Sequence, residues 1–155
     1  MLEGPTVNAI DTVAVGFDGS SDSRTALLWA ALLTAGIHGR LKVVHAVGLL
    51  EHAGLSDRST PHRAAVLEIA VGAGLHPTGV EWLVVDGDPC SALLRMIAAP
   101  HSVDLIVVGS RGSVQHSGSL LGSTGLELAE HSSVPVVIVP AAGSESVRPT
   151  ASQGA

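Results

Sequence analysis

Residues 103–125 read VDLIVVGSRGSVQHSGSLLGSTG, and the fold turns on this stretch. An apolar run, 103–108, feeds a loop of glycine and serine, and after Gly122 and Ser123 the string 124–131 reads as a helix. Glycine has no Cβ, so Gly109, Gly112, Gly118 and Gly122 can take positive φ and let a ligand come close to backbone N–H groups. A helix N-terminus behind such a loop adds unsatisfied N–H groups and the positive end of the helix dipole, which suit a phosphate. Ser123 brings a hydroxyl that can cap the helix or bond a phosphate oxygen. The pattern equally describes an ordinary strand-to-helix connection, and the rest of the chain has to decide.

Upstream, residues 12–17 (TVAVGF) predict a first strand closed by Asp18, Gly19 and Ser20, and 21–35 predict a helix capped by Ser20 or Ser21 with Asp22 in its first turn. That helix is apolar nearly all round, which implies burial against a sheet and against a neighbour. Residues 41–47 (LKVVHAV) form a second strand, 48–60 a loop, and Pro61 opens a helix running to about Ala73. Residues 80–85 (VEWLVV) form a third strand. Asp88 then serves as N-cap and Pro89 as first residue of a helix that stops at Pro100. Strand four is 103–108 and strand five 134–139 (VPVVIV), with the glycine loop and a short helix between them. Strand and helix alternate throughout, so the expected class is α/β: an open, parallel, five-stranded sheet with helices on both faces and right-handed crossovers. One domain is expected over 10–140, between a flexible N-terminus at 1–9 and a disordered tail at 141–155.

Composition narrows the function. The 155 residues include no Tyr, one Phe and two Trp, so the core consists of small aliphatic side chains, as close-packed parallel strands require. The formal charge is −6 and Lys42 is the one lysine, which leaves no basic face for nucleic acid. Cys90 is the sole cysteine, which excludes an intramolecular disulfide and fits a reducing, cytoplasmic setting. Residues 1–11 lack the pattern of a signal peptide, and no apolar run reaches the roughly 20 residues that cross a bilayer, so no membrane association is expected.

In open sheets of this kind, ligands sit outside the carboxyl ends of the strands where the strand order reverses. Residues 16–20, 44–47 and 109–123 reach that edge. If strands one and four are neighbours, the first and third of these face each other across one crevice.

These residues resemble the nucleotide-binding branch of the universal stress protein family over about 10–140. Four matches carry the resemblance: the strand ending in Asp18, the His45-Ala46-Val47 end of strand two, the Gly-Asp-Pro entry to the third helix, and the loop. The family's ATP signature, Gly-x2-Gly-x9-Gly-[Ser/Thr], is satisfied by Gly109, Gly112, Gly122 and Ser123 with the nine-residue spacing intact. The resemblance implies an adenine nucleotide alpha hydrolase-like fold with strand order 3-2-1-4-5 and an ATP site at the reversal. Asp18 and the backbone around Gly16 and Phe17 would lie near adenine and ribose, with the Ala46 backbone at the adenine edge. Val108 and Gly109 would lie by the ribose, and Gly112, Gly122, Ser123 and Thr124 around the phosphates. Gly125 stands where the family often has a hydroxyl residue, which removes one phosphate contact. The implied cofactor is ATP, with Mg2+ as its counter-ion, or another adenine nucleotide. The implied partner is a second copy, paired through residues 134–139, from Val134 to Val139.

Single residues divide between two roles. Asp18 can hold the nucleoside or a divalent ion, or cap the following helix. Arg111 can pair with phosphate oxygens or lie in solvent, and His116 can lie over the phosphates or be an exposed loop residue. His45 reads as a hydrogen-bonded core residue and Cys90 as a small buried hydrophobe. No Gly-x4-Gly-Lys-[Ser/Thr] loop, Gly-x-Ser-x-Gly elbow or second acidic residue beside Asp18 is present, so binding without efficient turnover is expected of a stress-response sensor or regulatory module. The alternatives are a slow ATP hydrolase, with Asp18 holding a metal, and a dimeric interaction protein that holds no nucleotide.

Overall fold

Valine-rich strands without polar alternation must be covered on both sides, and the architecture meets that demand with two helical layers. The computed structural model describes residues 9–47, 59–98, 103–111 and 122–141. In chain order the elements are β1 (Thr12–Gly16), α1 (Ser21–Gly36), β2 (Arg40–Val47), α2 (Ser59–Gly72), a 3-10 turn (Pro77–Gly79), β3 (Val80–Asp86), α3 (Pro89–Ala98), β4 (Leu105–Gly109), α4 (Ser123–His131) and β5 (Val136–Val139). The five strands form one sheet in the order β3-β2-β1-β4-β5, and every neighbouring pair is parallel. This is the expected order, with its reversal between β1 and β4.

α1 and α2 cover one face, where Leu27, Ala30 and Val66 meet Val13, Val15, Val43 and Val107. α3 and α4 cover the other, where Leu93 and Leu128 meet Ala14, Val44, Ile106 and Val108. Among the described residues no helix is long and apolar enough to cross a membrane.

Element ends differ from the sequence reading where a local bond decides them. The start of β4 moves from Val103 to Leu105. Just before it, the Asp104 carboxylate accepts the N–H groups of Asp11 and Thr12 at 3.0 and 2.9 Å and ties the approach of β4 to the start of β1. β5 starts at Val136, after Pro135, which has no N–H, and after a turn in which the Ser132 hydroxyl donates to the Val134 carbonyl at 2.7 Å. α2 starts at Ser59, two residues before Pro61. Asp88 caps α3 as expected, accepting from the Ser91 N–H at 2.9 Å, and hydrogen bonding from the Ser91 hydroxyl, together with that N–H, lowers the pKa of its carboxyl. The solvent side of α1 is a correction: Leu28, Trp29, Leu32 and Leu33 are exposed, so the sheet buries only part of its apolar surface. The flexible N-terminus at 1–9 and the disordered tail at 141–155 lie, apart from Ala9 and Ala141, outside the described residues.

Candidate functional site

The tip of β1 is tied to the tip of β2. Phe17 donates its N–H to the Val44 carbonyl at 2.9 Å, and its own carbonyl lies 2.8 Å from Nδ1 of buried His45. A carbonyl only accepts, so this bond places a proton on Nδ1. The His45 ring stacks on Trp82 with centroids 5.6 Å apart and lies 5.2 Å from His62. The Phe17 ring meets His62 and Trp82 edge-on at 5.7 and 6.2 Å. The Phe17 side chain is therefore packed into the core on the α1 side, and its N–H and carbonyl are both engaged by β2. His45 is a core residue, as its apolar strand suggested. The sequence reading missed the cluster itself: His62 reaches it from α2, and no short-range pattern joins it to residues 17, 45 and 82.

Asp18 begins a tight turn into α1. One carboxylate oxygen accepts the Ser20 N–H at 2.9 Å, and the Ser20 hydroxyl oxygen accepts the Ser23 N–H at 3.2 Å, making Ser20 the N-cap. The helix-capping role considered for Asp18 is thus real in part: it supports the capping residue. Gly19 between them has φ +83, which L side chains rarely adopt.

Across the reversal, the β1–β4 register pairs Val15 with Val107, and a Cβ on Gly16 would lie 3.7 Å from the Val108 side chain. Ser110 then fixes both ends of the glycine loop. Its N–H donates to the Val139 carbonyl at 2.9 Å, and its carbonyl accepts the Gly122 N–H at 2.6 Å. The two described ends of the signature, Gly109 to Arg111 and Gly122 to Thr124, are thereby held together at the C-terminal edge of β4. Ala46 lies half-buried at the same edge, paired with Val85. Arg111 is exposed. Gly112, Gly118 and His116 lie outside the described residues.

Two sequence-level reasons for the glycines are corrected. Among the described residues, positive φ falls on Gly19, Gly74, Gly87 and His38, not on Gly109 or Gly122, which has φ −69. Gly109 is needed for packing: a Cβ there would lie 2.9 Å from the Asp22 carbonyl oxygen in the first turn of α1. Gly122 is the N-cap of α4, and no side chain caps that end, so Ser123 does not take the capping role. Gly125 is buried, and a Cβ there would meet Ile138 at 3.6 Å, which makes it a contact between α4 and the sheet.

The other chemistry-bearing groups sit elsewhere. Lys42 pairs with Glu81 at 3.8 Å near the start of β2, away from the strand tips. Among the described residues no group of three or more His, Cys, Asp or Glu is placed to hold a metal. Cys90 is buried in the first turn of α3, and burial, with Glu127 beside it, pushes its thiol from 9.0 up to about 11. The native thiol is thus protonated and inert at neutral pH. Because the folded value is raised, the stabilisation is full below pH 9 and is lost as pH rises towards 11. The loss amounts to about 2–3 kcal/mol over that window. In urea titrations, Cys90→Ala is expected to flatten the fall in stability between pH 9 and 11; parallel curves for the two proteins would refute it.

Residues 9–140 match the universal stress protein family. The chain belongs to that family. A universal stress protein solved in complex with cAMP is 30% identical, with 87% of this chain and 100% of that one covered and a TM-score of 0.68. A protein from Mycobacterium tuberculosis H37Rv is also 30% identical, with 85% and 96% covered and a TM-score of 0.54. The universal stress protein from Archaeoglobus fulgidus in complex with dAMP, at 17% identity, shares the fold, with 83% and 97% covered and a TM-score of 0.60. No curated protein matches the chain.

Proposed function

We propose that this universal stress protein binds an adenine nucleotide across the tips of β1, β2 and β4 and acts in the cytoplasm as a stress-response sensor or regulatory module. The observation that carries this reading is the bond between Ser110 and Gly122, which closes the Gly-x2-Gly-x9-Gly-Ser signature beside the β1 tip at the strand-order reversal. The 30% identical relative in complex with cAMP supports an adenine nucleotide as the ligand class. The Gly16 and Phe17 backbone and the Asp18 carboxylate meet the nucleoside, with Ala46 at the adenine edge and Val108 and Gly109 by the ribose. Gly112, Gly122, Ser123, Thr124 and Arg111 receive the phosphates, whose charge the uncapped N-terminus of α4 favours. With ATP, Mg2+ accompanies the phosphates as counter-ion. The protein pairs with a second copy along β5, whose outer edge no described strand covers.

Titration calorimetry of nucleotide-free protein with ATP, ADP, AMP and cAMP tests the binding. Heat is expected with at least one of them. Asp18→Asn keeps an acceptor for the Ser20 N–H but removes the charge, and should weaken affinity about 10- to 100-fold, the range for a hydrogen bond to a charged group. A folded protein that gives no heat with any of the four overturns the proposal.

A further inference from the structure

Residues 25–37 (TALLWAALLTAGI) contain no charged side chain, yet Leu28, Trp29, Leu32 and Leu33 are exposed, Trp29 to 60%. A solvent-facing helix surface ordinarily carries charge. Side chains leave a helix about every 100°, and the buried line Leu27, Ala30, Thr34 marks the side of α1 that faces the sheet. Leu28 falls on the flank towards α2, where it lines a groove of about 540 Å³ with Ala65 and Ile69. Trp29 and Leu33 fall on the opposite flank. α2 packs against α1 and β3, whereas α1 reaches β4 and β5, so this opposite flank overhangs β5 at the edge of the sheet. Val139 is buried on the α1 side, so Val137, two residues earlier, faces the same side, where it is exposed. Trp29, Leu33 and Val137 make one uncharged shoulder along the strand. The carbonyls of Pro135 and Val139 accept from Ile106 and Ser110 in and beside β4, so by alternation Val136 and Ile138 turn their backbone groups outward.

We infer that the shoulder is covered by the same shoulder of a second copy of this chain, and that Trp29 and Leu33 anchor the dimer. The inference rests on the β5 pairing proposed above and adds what surrounds it. Two β5 strands joined antiparallel are related by a twofold axis perpendicular to the sheet, so both α1 helices lie on one face with their overhanging flanks turned towards each other. Trp29 and Leu33 of each copy then meet their equivalents. The exposed parts of Trp29, Leu32, Leu33 and Val137 amount to on the order of 350 Å², just under half of the ~800 Å² each partner gives to a stable interface. The paired strands supply further area. An uncharged apolar centre matches homodimers, whose interface cores are depleted of charge.

Sedimentation velocity of the full chain over a range of concentrations tests this. The wild type is expected to dimerise, and Trp29→Glu with Leu33→Glu to weaken the dimer about 100-fold or more, as loss of two anchors does, while circular dichroism shows an unchanged fold. Leu28→Glu, on the α2 flank, should leave the dimer intact. In a Trp82→Phe background, acrylamide quenching of Trp29 should fall as concentration drives dimerisation. A dimer undiminished in the double variant overturns the anchor and leaves β5 pairing standing; a wild type monomeric throughout overturns both. A monomer whose Trp29 is shielded by phosphatidylglycerol vesicles assigns the shoulder to a lipid surface and overturns the inference too. None of these outcomes depends on nucleotide binding.

Discussion

Gly19→Ala is expected to destabilise the fold by about 2–4 kcal/mol, since it combines a left-handed backbone with overpacking. At φ +83 an alanine is strained whatever the space around it, and its Cβ would overlap Cε1 of His62. The ring has little room to retreat, because Phe17 lies 5.7 Å from its centre and His45 5.2 Å. At roughly 2–4 °C per kcal/mol for a chain of this size, the unfolding midpoint should drop by about 5–15 °C. A double-mutant cycle separates the two causes. In a His62→Ala background the overlap is gone and only the backbone strain, about 1–2 kcal/mol, should remain. An equal cost in both backgrounds would show that the ring is not the obstacle. Since Gly19 sits between Asp18 and the N-cap Ser20, the variant should also weaken any ligand held by Asp18.

Gly109→Ala should cost about 1–3 kcal/mol, for a different reason. The residue has no positive φ, so the cost comes from the Asp22 carbonyl oxygen 2.9 Å from the added Cβ. That atom belongs to the backbone of α1, and relief requires the first turn of the helix to shift. Gly16→Ala is the control, since its Cβ would meet Leu93 at 3.4 Å and Val108 at 3.7 Å, both ordinary contacts. The Gly16 variant should unfold within about 0.5 kcal/mol of the wild type, as substitutions without a clash do. Matching urea midpoints for the two variants would refute a packing role for Gly109. The first turn of α1 thus rests on the last residue of β4, Gly109, which opens the glycine signature.

The alternation of five valine-rich strands with helices was legible because both-face burial leaves uninterrupted apolar runs, and the Asp88–Pro89 entry to α3 because capping is a local bond. Strand ends were less legible. Whether β4 begins at Val103 or Leu105 depends on Asp104 reaching the N–H groups of residues 11 and 12, some ninety positions away in the chain. The glycine spacing pointed to the loop, while the reason for Gly109 lay in its contact with Asp22.

By itself, then, the sequence determined the α/β class and the succession of strands and helices, because periodicity and caps are local properties, while the strand order came from its family resemblance. Only the tertiary structure decided which glycines are turns and which are packing contacts, gathered Phe17, His45, His62 and Trp82 into one cluster, and left Trp29 and Leu33 in solvent above β5. Those outcomes depend on which surfaces meet when distant elements close on one sheet, and no run of neighbouring residues encodes that meeting.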